Sequence, residues 1–460
     1  MMRRLTFLCA LALMATISQA QTTPRKSAMS LSPADAAKTI QTRTLKNGMK
    51  IVVWPDHDIP NVALYNWFRV GSRNEYAGIT GLSHFFEHMM FNGAKKYGAG
   101  EFDRVMEARG GANNAYTSEN VTVYQDWFPK NALELIFDLE ADRMRDLAFD
   151  PKIIDSERGV VYSERRSSVD NQNENLLSEQ VQATAFVAHP YGIPTIGWPS
   201  DIESWKHEDL VLFFKTYYAP NNATMIVVGD VTPAAVFALA EKYIEPIPSQ
   251  KAPDPIRTKE PEQLGERRVE LRRFGQTPAI QMAFHNMAAS DPDMEALQLL
   301  LTIIANGDSS RLNRKLVEED RSALSVGGFN QEGFDPFLTW IVATLPPGGD
   351  LAKVEKSISD ELVRVSKDGV TDAELRKAKN IAVANFWRSL KTISGKAQAL
   401  GTFETFKGGY GKLFDAPIRY EAVTREQIQK VAAKVFAPKN RTVGVVIPTE
   451  EPAEQKEATQ

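Results

Sequence analysis

Two histidines and a glutamate lie within five consecutive residues, and their spacing could build a metal site. The segment reads His84-Phe85-Phe86-Glu87-His88. On a helix, residues three and four apart share one face, so both imidazoles can point a ring nitrogen at one ion with the carboxylate beside them. The order H-x-x-E-H is the inverted form of the zincin motif. A catalytic zinc ion takes three protein ligands, so a third ligand must come from elsewhere in the chain.

A second predicted helix offers acidic residues for that role. Asp150-Pro151 is typical of an N-cap followed by proline at the first helical position, and the helix should continue through Glu164. Glu157 and Glu164 are seven residues apart, so they lie two turns apart on one face. Taken alone, such a pair could equally form a solvated stripe on the helix surface.

A third segment is rich in residues that favour β-structure. Residues 113–118 read NNAYTS and are followed by valine, tyrosine and tryptophan up to Trp127. This composition predicts one strand that opens at Asn113 and runs to Trp127. An interior strand with a polar start is the alternative to a strand that binds a ligand.

Together the three segments resemble the pitrilysin/insulinase family of zinc peptidases. In that family HxxEH is followed by a glutamate at about the interval seen here, where 75 residues separate His88 from Glu164. The resemblance implies one Zn²⁺ per chain, held by His84, His88 and Glu164. It implies that Glu87 is the catalytic base, and that Glu157 hydrogen-bonds a ligating imidazole from outside the metal's own ligand set.

The resemblance also assigns a role to the third segment. In the family, a similar strand is the edge to which a substrate peptide adds itself through backbone hydrogen bonds. By that resemblance Asn114, Ala115 and Tyr116 are expected to bind substrate. Recognition of this kind reads the main chain, so it selects peptides or unfolded segments with little regard to side chains.

The chain contains an internal repeat, which predicts two similar halves. Residues 218–224 (YAPNNAT) and 436–442 (FAPKNRT) are similar. A predicted amphipathic helix precedes each copy, over residues 208–217 and 425–435, and a predicted strand follows each. We expect an α+β fold with two duplicated halves, each a mainly antiparallel sheet covered by helices. The family resemblance implies that the halves face each other as a clamshell.

The predicted boundaries follow from composition and from this repeat. A stretch rich in proline and charge over residues 248–266 predicts a linker between the halves. The expected organisation is a signal peptide (1–20), a flexible segment (21–34), a catalytic zinc-binding domain (35–247), the linker (248–266), a second homologous domain (267–448) and a flexible tail (449–460).

The N-terminus is typical of an exported protein. Arg3 and Arg4 precede an apolar run from Leu5 to Ile17, and small residues follow at 18–20. The run is shorter than the ~20 residues that span a bilayer, so a cleaved signal is favoured over a stable membrane anchor. The only cysteine lies inside this run. We therefore expect an exported protein that contains no disulfide, with the periplasm as its compartment.

Overall composition limits the class of partner. The chain has 460 residues, of which 43% are hydrophobic and 24% charged, with a net charge of −4. That length favours more than one domain. The mild acidity offers no basic surface of the kind that nucleic acid requires.

The second half departs from the family at two positions. There the family contributes an arginine and a tyrosine that bind substrate and stabilise the transition state. Val317 and Leu324 stand at these positions here, and neither can donate a hydrogen bond. The resemblance therefore implies a heterodimer with a homologous partner subunit that carries the Arg/Tyr pair, as in mitochondrial processing peptidase and two-subunit bacterial peptidases.

The resulting hypothesis is a zinc-dependent endopeptidase subunit that hydrolyses peptides in an enclosed chamber. The alternatives are a non-catalytic scaffold subunit of the same fold and a peptide-binding protein with a vestigial zinc site. The sequence does not assign a function to two further segments. The loop 189–192 (HPYG) resembles a family loop near the site, and the glycine-rich residues 408–411 could line the chamber or form a plain turn. The remaining histidines are interpreted as structural: His57, His189, His207 and His285.

Overall fold

The computed structural model describes residues 37–450, which fold into two β-sheets and the helices that cover them. The predicted signal peptide, the segment 21–34 and the tail beyond residue 450 lie outside the described residues. Residues 248–266 join the two sheets without helix or strand. Within 37–450, no helix is both long enough and apolar enough to cross a membrane.

The first sheet has six strands in the order β1-β2-β6-β3-β5-β4, and the second has five in the order β7-β11-β8-β10-β9. The pairs β2–β6 and β7–β11 are parallel, and all other pairs are antiparallel. The strands are β1 Gln41–Thr44, β2 Lys50–Pro55, β3 Asn61–Phe68, β4 Ala112–Thr117, β5 Thr122–Pro129, β6 Ala223–Gly229, β7 Arg267–Phe274, β8 Ala279–His285, β9 Ser325–Asn330, β10 Leu338–Thr344 and β11 Arg441–Thr449.

Between β1 and β11, fifteen α-helices connect the strands or cover them. They are α1 Leu82–Met89, α2 Glu101–Glu107, α3 Leu133–Asp146, α4 Pro151–Arg165, α5 Asn173–Ala185, α6 Pro199–Ser204, α7 His207–Tyr217, α8 Pro233–Leu239, α9 Met294–Ile304, α10 Arg311–Asn313, α11 Leu351–Asp368, α12 Asp372–Ser389, α13 Ile393–Phe406, α14 Ala416–Ala422 and α15 Arg425–Val435. Helix α4 continues as a π-turn, Arg166–Asp170, and two further π-segments are Ala240–Ile244 and Arg314–Glu319.

The two sheets repeat one topology, which confirms the predicted duplication and fold class. Strands β2, β6, β3, β5 and β4 of the first sheet correspond in order and direction to β7, β11, β8, β10 and β9 of the second. The repeated sequence segments at 218–224 and 436–442 lead into the equivalent strands β6 and β11. The first sheet has one additional strand, β1, at its outer edge.

Both faces of the first sheet are buried, which explains the nearly continuous apolar sequence of its central strands. In β3, Val62, Leu64 and Phe68 point to a core shared with α1, α3 and α7, whereas the alternate residues Tyr65 and Trp67 point to a second core on the other face. Alternation along a strand sends successive side chains to opposite faces. A strand covered on both faces therefore needs apolar residues at nearly every position.

Each sheet receives the cover for one of its faces from the other half of the chain. Helix α13, from the second half, packs on the first sheet through Ile393, Ala397 and Leu400. Helix α5, from the first half, packs on the second sheet through Leu177 and Val181. The halves thus exchange equivalent helices, and the linker does not carry the association alone.

One sequence prediction for the third segment is wrong. The residues from Asn113 to Trp127 do not form one strand, because β4 ends at Thr117 and β5 begins at Thr122. A tight turn joins them, in which the hydroxyl of Ser118 accepts hydrogen bonds from the backbone of Asn120 and Val121 at 3.2 Å each. The outcome is a hairpin with β4 at the edge of the sheet as residues 37–450 define it.

Candidate metal centre

Helix α1 carries the HxxEH segment and starts at a glycine, so its N-terminus needs an acceptor from outside the helix. Gly81 has a left-handed backbone (φ +88°) and no side chain to cap the helix. The buried carboxylate of Glu75 takes this role and accepts hydrogen bonds from the backbone N–H groups of Gly81 and Ser83, each at 2.7 Å. Burial raises the pKa of Glu75 to about 7, although these hydrogen bonds favour its charged form.

The start of α1 also lies against a second glycine. A β-carbon on Gly81 would lie 2.6 Å from the carbonyl oxygen of Ile196, and one on Gly197 would lie 2.5 Å from that of Thr80. Neither distance is possible for a real side chain. The two glycines therefore let the loop before α6 cross the beginning of α1 and form one wall of the site.

Two tyrosines fix α1 on the sheet beneath it. The hydroxyls of Tyr124 and Tyr218 donate to the carbonyls of Phe86 and Ser83, at 2.9 and 3.3 Å. Phe85 and Phe86 are fully buried in the first core. The apolar face of α1 is thus held by the core, and its polar face, with both histidines, is turned toward α4.

His84, His88 and Glu164 converge on one point. The Nε2 atom of His88 lies 3.4 Å from Oε2 of Glu164, and Nε2 of His84 lies 3.7 Å from the same oxygen. Among residues 37–450 these three form the only group of such side chains whose ligand atoms all lie within 4.8 Å of one another. The packing of α4 beside α1 therefore brings together residues that 75 or more others separate in sequence.

Glu157 sets the orientation of the His88 ring. Its Oε1 atom lies 2.7 Å from Nδ1 of His88, so the proton on Nδ1 is directed to the carboxylate and Nε2 is left facing Glu164. Burial favours the neutral ring of His88, but the hydrogen bonds with Glu157 and Glu164 outweigh burial and raise its pKa to about 9. The hydrogen bond from His88 lowers the pKa of Glu157, and that of Glu164 as well.

His84 has a different environment from His88. Burial and the nearby charge of His88 lower the pKa of His84 to about 4, so this ring is neutral at physiological pH. Its Nδ1 atom is buried and has no hydrogen-bond partner among residues 37–450. The ring is therefore held by packing, with Nε2 presented to Glu164.

The arrangement of these atoms fits a zinc ion. Tetrahedral zinc with bonds of about 2.0–2.2 Å sets neighbouring ligand atoms about 3.4 Å apart. The two observed nitrogen-to-oxygen distances, 3.4 and 3.7 Å, are close to this edge length. Two imidazoles and one carboxylate are also a donor set that leaves a fourth position open.

Glu87 lies next to this group and is connected to the end of strand β4. It lines the same cavity as His84 and Glu164. Burial raises the pKa of Glu87, while hydrogen bonds from the side chain and backbone of Thr117 partly oppose that shift. A carboxylate with a raised pKa is better suited to accept and return a proton near neutral pH than an exposed one.

A cavity of about 410 Å³ opens beside His84 and Glu164. Its lining comes entirely from the first half of residues 37–450 and includes the end of β4, the helices α4 and α5 and the loop before α6. The residues that line it include Tyr116, Thr117, Glu119, Ser168, Val169, Glu179, Gln182, Pro194, Thr195 and Ile196. The cavity is thus bounded by the edge strand on one side and by α5 on the other.

The residues predicted to bind substrate lie on the edge strand β4. Asn114 is exposed, and Ala115 packs against the first core. The ring of Tyr116 packs on Trp67 with centroids 6.3 Å apart, and its hydroxyl accepts a hydrogen bond from Gln398 of α13 at 2.9 Å. Because β4 pairs with β5 on one side only within 37–450, its other backbone edge can pair with a peptide.

The two positions that depart from the family lie away from this cavity. Val317 is partly buried against the core of the second half. Leu324 precedes the edge strand β9, and 59% of its surface is exposed. Residues 408–411 lie against β2, where Lys50 is positioned over the ring of Tyr410.

The other four histidines make contacts outside the metal centre. His57 is 2.6 Å from Asp230, and His285 is 2.9 Å from the carbonyl of Ala185. The ring of His207 packs on a phenylalanine of the first core, and His189 accepts a hydrogen bond from the backbone of Tyr191.

Sequence reasoning did not single out Glu75 or Thr117. Thr117 lies in the NNAYTS segment, next to the residues predicted to bind substrate, and this position could have suggested a role. Glu75 gives no local signal, because it caps a helix from six and eight residues away through a folded loop. The only available clue is the glycine at the N-cap of α1, which implies an acceptor from elsewhere.

Comparison with known families places both halves in one group of peptidases. Residues 51–198 match the model described as insulinase (peptidase family M16), and residues 204–382 match the model described as peptidase M16 inactive domain. The zinc protease PqqE of Helicobacter pylori (strain ATCC 700392 / 26695) is 33% identical over 358 residues, which cover 77% of this chain and 81% of that protein.

Solved structures share the fold. The crystal structure of a protease from Helicobacter pylori superposes with a TM-score of 0.86 at 30% identity, over 89% of this chain and 99% of that one. The periplasmic protease PqqL from Escherichia coli superposes with a TM-score of 0.73 at 17% identity. The match covers 92% of this chain but 49% of PqqL, so PqqL is about twice as long.

Proposed function

The chain belongs to the insulinase family of peptidases (peptidase family M16), and from that premise we propose that it is a zinc-dependent endopeptidase. One observation carries the proposal. The ligand atoms of His84, His88 and Glu164 converge, and Glu87 lines the same cavity at the end of an edge strand. A scaffold protein has no need for this combination of metal ligands, base and open strand edge.

We propose that one Zn²⁺ per chain is held by His84, His88 and Glu164. When bound, the ion would supply Lewis acidity toward the scissile carbonyl and toward a water molecule. Glu157 would keep the His88 ring in the tautomer that leaves Nε2 free, since it is 2.7 Å from Nδ1. The three ligands come from two packed helices, so little reorganisation is needed on loading.

Glu87 would move the proton in this reaction. Its carboxylate is placed to accept a proton from the attacking water and to pass it to the leaving nitrogen of the cleaved amide. The hydrogen bonds from Thr117 hold the carboxylate at the end of β4. The same bonds place the base close to any peptide that pairs with that strand.

The substrate class proposed is an extended peptide or an unfolded segment. Such a peptide would add to the free edge of β4 along Asn114, Ala115 and Tyr116, with main-chain hydrogen bonds supplying most of the affinity. Folded proteins cannot present an unpaired strand of this length. Selection would therefore depend on length and flexibility more than on side chains.

A second, homologous subunit is proposed to complete the site. Val317 and Leu324 replace the hydrogen-bond donors of the family, and every residue that lines the metal cavity within 37–450 comes from the first half. PqqL, with the same fold, is about twice the length of this chain, which is consistent with a two-part assembly. We also propose export to the periplasm, the compartment of the protease PqqL.

Metal analysis of a Glu87→Gln variant tests the peptidase proposal. The variant should keep zinc at the level of the unmodified chain, because Glu87 is not a ligand, while peptide turnover falls about 10²–10⁴-fold. Glu101→Gln, at the start of α2 where the side chain is 43% exposed, is the matched control and should leave both quantities unchanged. Equal turnover by the Glu87→Gln variant and the unmodified chain, each assayed with the partner subunit present, would refute the assigned base.

Purification from the native source tests the partner proposal. A second chain of similar size should co-purify, and the isolated chain should be a poor peptidase until that partner is added. Full peptidase activity of the isolated chain would contradict the heterodimer. Stoichiometric zinc without turnover in the complete assembly would instead favour the scaffold or peptide-binding alternative.

A further inference from the structure

A loop of the second half reaches the turn that ends the substrate strand. The turn between β4 and β5 contains Asn120, which is 2% exposed. Its Oδ1 atom accepts three hydrogen bonds: from the Tyr191 hydroxyl at 2.6 Å, from Nη1 of Arg73 at 3.2 Å and from the backbone of Phe334 at 3.3 Å. Two of the donors belong to the first half, and Phe334 belongs to the loop between β9 and β10.

Asp335 is the charged centre of this contact. Its Oδ2 atom accepts from Nη2 of Arg73 at 2.8 Å and lies 3.4 Å from Nε2 of His189. The other ring nitrogen of His189 accepts from the backbone of Tyr191, so Nε2 carries the proton and faces the carboxylate. One carboxylate of the second half thus accepts a hydrogen bond from Arg73 and lies beside the ring of His189, both of the first half.

Aromatic side chains pack around the contact between Arg73 and Asp335. The rings of Tyr191 and Phe337 are stacked with centroids 4.1 Å apart. The guanidinium of Arg73 lies over the rings of Tyr191 and Phe334, at 5.5 and 5.1 Å from their centroids. These contacts stabilise Arg73 in the position from which it reaches both Asn120 and Asp335.

The turn that is held in this way borders the metal cavity. Its residue Glu119 lines that cavity, and Thr117, at the preceding strand end, hydrogen-bonds the base Glu87. The backbone N–H of Arg73 also donates to the carbonyl of Glu119 at 3.0 Å. A displacement of Arg73 would therefore move the wall of the cavity and the end of β4 together.

We propose that Asp335 is a positioning residue through which the second half keeps the edge strand β4 in register with the metal centre. Asp335 acts through Arg73 and His189 and touches neither substrate nor metal. The catalytic consequence rests on the proposed peptidase function, whereas the effect on the strand does not. The proposal also assigns a role to residues 189–192 (HPYG), which provide the first-half side of this contact through His189 and Tyr191.

Hydrogen exchange of the zinc-loaded chain tests the effect on the strand. Asp335→Ala should speed amide exchange in residues 112–122 about tenfold or more, because the charge-assisted contacts to Arg73 and His189 are lost. Asp335→Asn keeps an acceptor oxygen and should stay within about threefold of the unmodified chain. Asp335 is 39% exposed as a side chain, so neither change leaves a buried cavity.

The matched control is Arg273→Ala. Arg273 also joins the halves, through a 2.7 Å hydrogen bond from Nη2 to the carbonyl of Asp170, but it makes no contact with the turn. This variant should leave exchange in 112–122 unchanged. Equal exchange in the Asp335→Ala and Arg273→Ala variants would overturn the proposal.

Peptide binding tests the consequence for the site. In the inactive Glu87→Gln background, Asp335→Ala should weaken the binding of an unstructured fluorescent peptide about tenfold and leave zinc content unchanged. In the active assembly with the partner subunit, it should raise KM more than it lowers kcat. If peptide binds to no variant even with the partner subunit present, the peptidase function fails, while the exchange experiment still decides the role of Asp335.

Discussion

Helices α1 and α9 occupy the same place in the two halves, each between equivalent strands, and their side chains differ in kind. Helix α1 presents His84, Glu87 and His88 on one face. Helix α9 reads MEALQLLLTII, and most of its residues are buried in the second core. The second half thus builds the same scaffold with leucine and isoleucine. The comparison indicates that the shared fold does not require the candidate metal ligands, which only one copy of the repeated framework carries.

The clearest way to break this comparison is to remove a ligand. His88→Ala should abolish zinc binding and reduce peptidase activity at least ~10³-fold, because the Lewis acid contributes several kcal/mol. The metal-free variant should still fold. Zinc content by elemental analysis and the melting temperature are the measurements, and His57→Ala, outside the centre, is the control. Unfolding of the His88→Ala chain would show that the first half depends on its metal.

Between pH 5 and 9, the zinc affinity of the first half should depend on pH. The pKa of His88 is raised to about 9, so this ring must lose a proton before zinc binds. Zinc affinity should therefore rise about tenfold per pH unit from pH 5 toward 9, or about 10³-fold between pH 5 and 8. Calorimetry in buffers of different ionisation enthalpy should show one proton released per zinc at pH 7. A flat affinity over this range would contradict the assigned ligand.

A substitution in the core of α9 tests the second half in the same way that ligand removal tests the first. Leu300 is fully buried, so Leu300→Ala should lower the free energy of unfolding by about 2–5 kcal/mol. Zinc affinity at 25 °C should be unchanged, since no residue of α9 lines the metal cavity. Denaturant unfolding and a zinc titration measure the two quantities. A matching loss of zinc affinity would show that the halves are coupled at the metal centre.

A smaller effect is expected from the residue that orients a ligand. Glu157→Gln keeps an acceptor for Nδ1 of His88 but removes the charge, so zinc affinity should fall about 10–100-fold. Competition with a chromogenic chelator provides the measurement. Glu134→Gln, on the exposed start of α3, should bind zinc as the unmodified chain does.

The smallest expected effects are on stability, from substitutions of the glycines that contact the exchanged helices α5 and α13. Gly401 of α13 lies against Trp67, and Gly444 of β11 lies against Val181 of α5, so a β-carbon at either position would clash. Gly401→Ala and Gly444→Ala should each cost about 1–3 kcal/mol of stability. Gly401→Ala should cost more, because an indole ring yields less than a valine methyl. Equal melting temperatures for both variants and the unmodified chain would argue against tight packing of the exchanged helices.

Local sequence signals predicted the elements that carry the centre. Asp150 caps α4 as its type and position indicate, with its side chain accepting from Lys152 at 2.8 Å. The helices predicted over 208–217 and 425–435 agree with α7 and α15 to within one residue. These features depend on neighbours in sequence, so a single chain contains enough information to predict them.

Features set by distant contacts were not predictable. The turn at 118–121 contains no glycine or proline, and long-range hydrogen bonds to Asn120 from Arg73 and Tyr191 stabilise it. The sequence from Asn113 to Trp127 therefore predicts one continuous strand. Likewise nothing local indicates that Glu75 caps α1, or that α5 and α13 cover the opposite sheets. The prediction that Glu164 is a metal ligand came from the family resemblance, because local spacing on its helix does not indicate which distant side chain it approaches.

The exchange of α5 and α13 has a consequence for the origin of the chain. A single half, taken alone, would leave one apolar sheet face open to water, because the helix that covers it belongs to the other half. Two identical copies that traded this helix would close both faces at once. An ancestor of half the present length would thus have been stable only as a symmetric dimer, and gene fusion would have freed one copy to lose, or never acquire, its metal ligands.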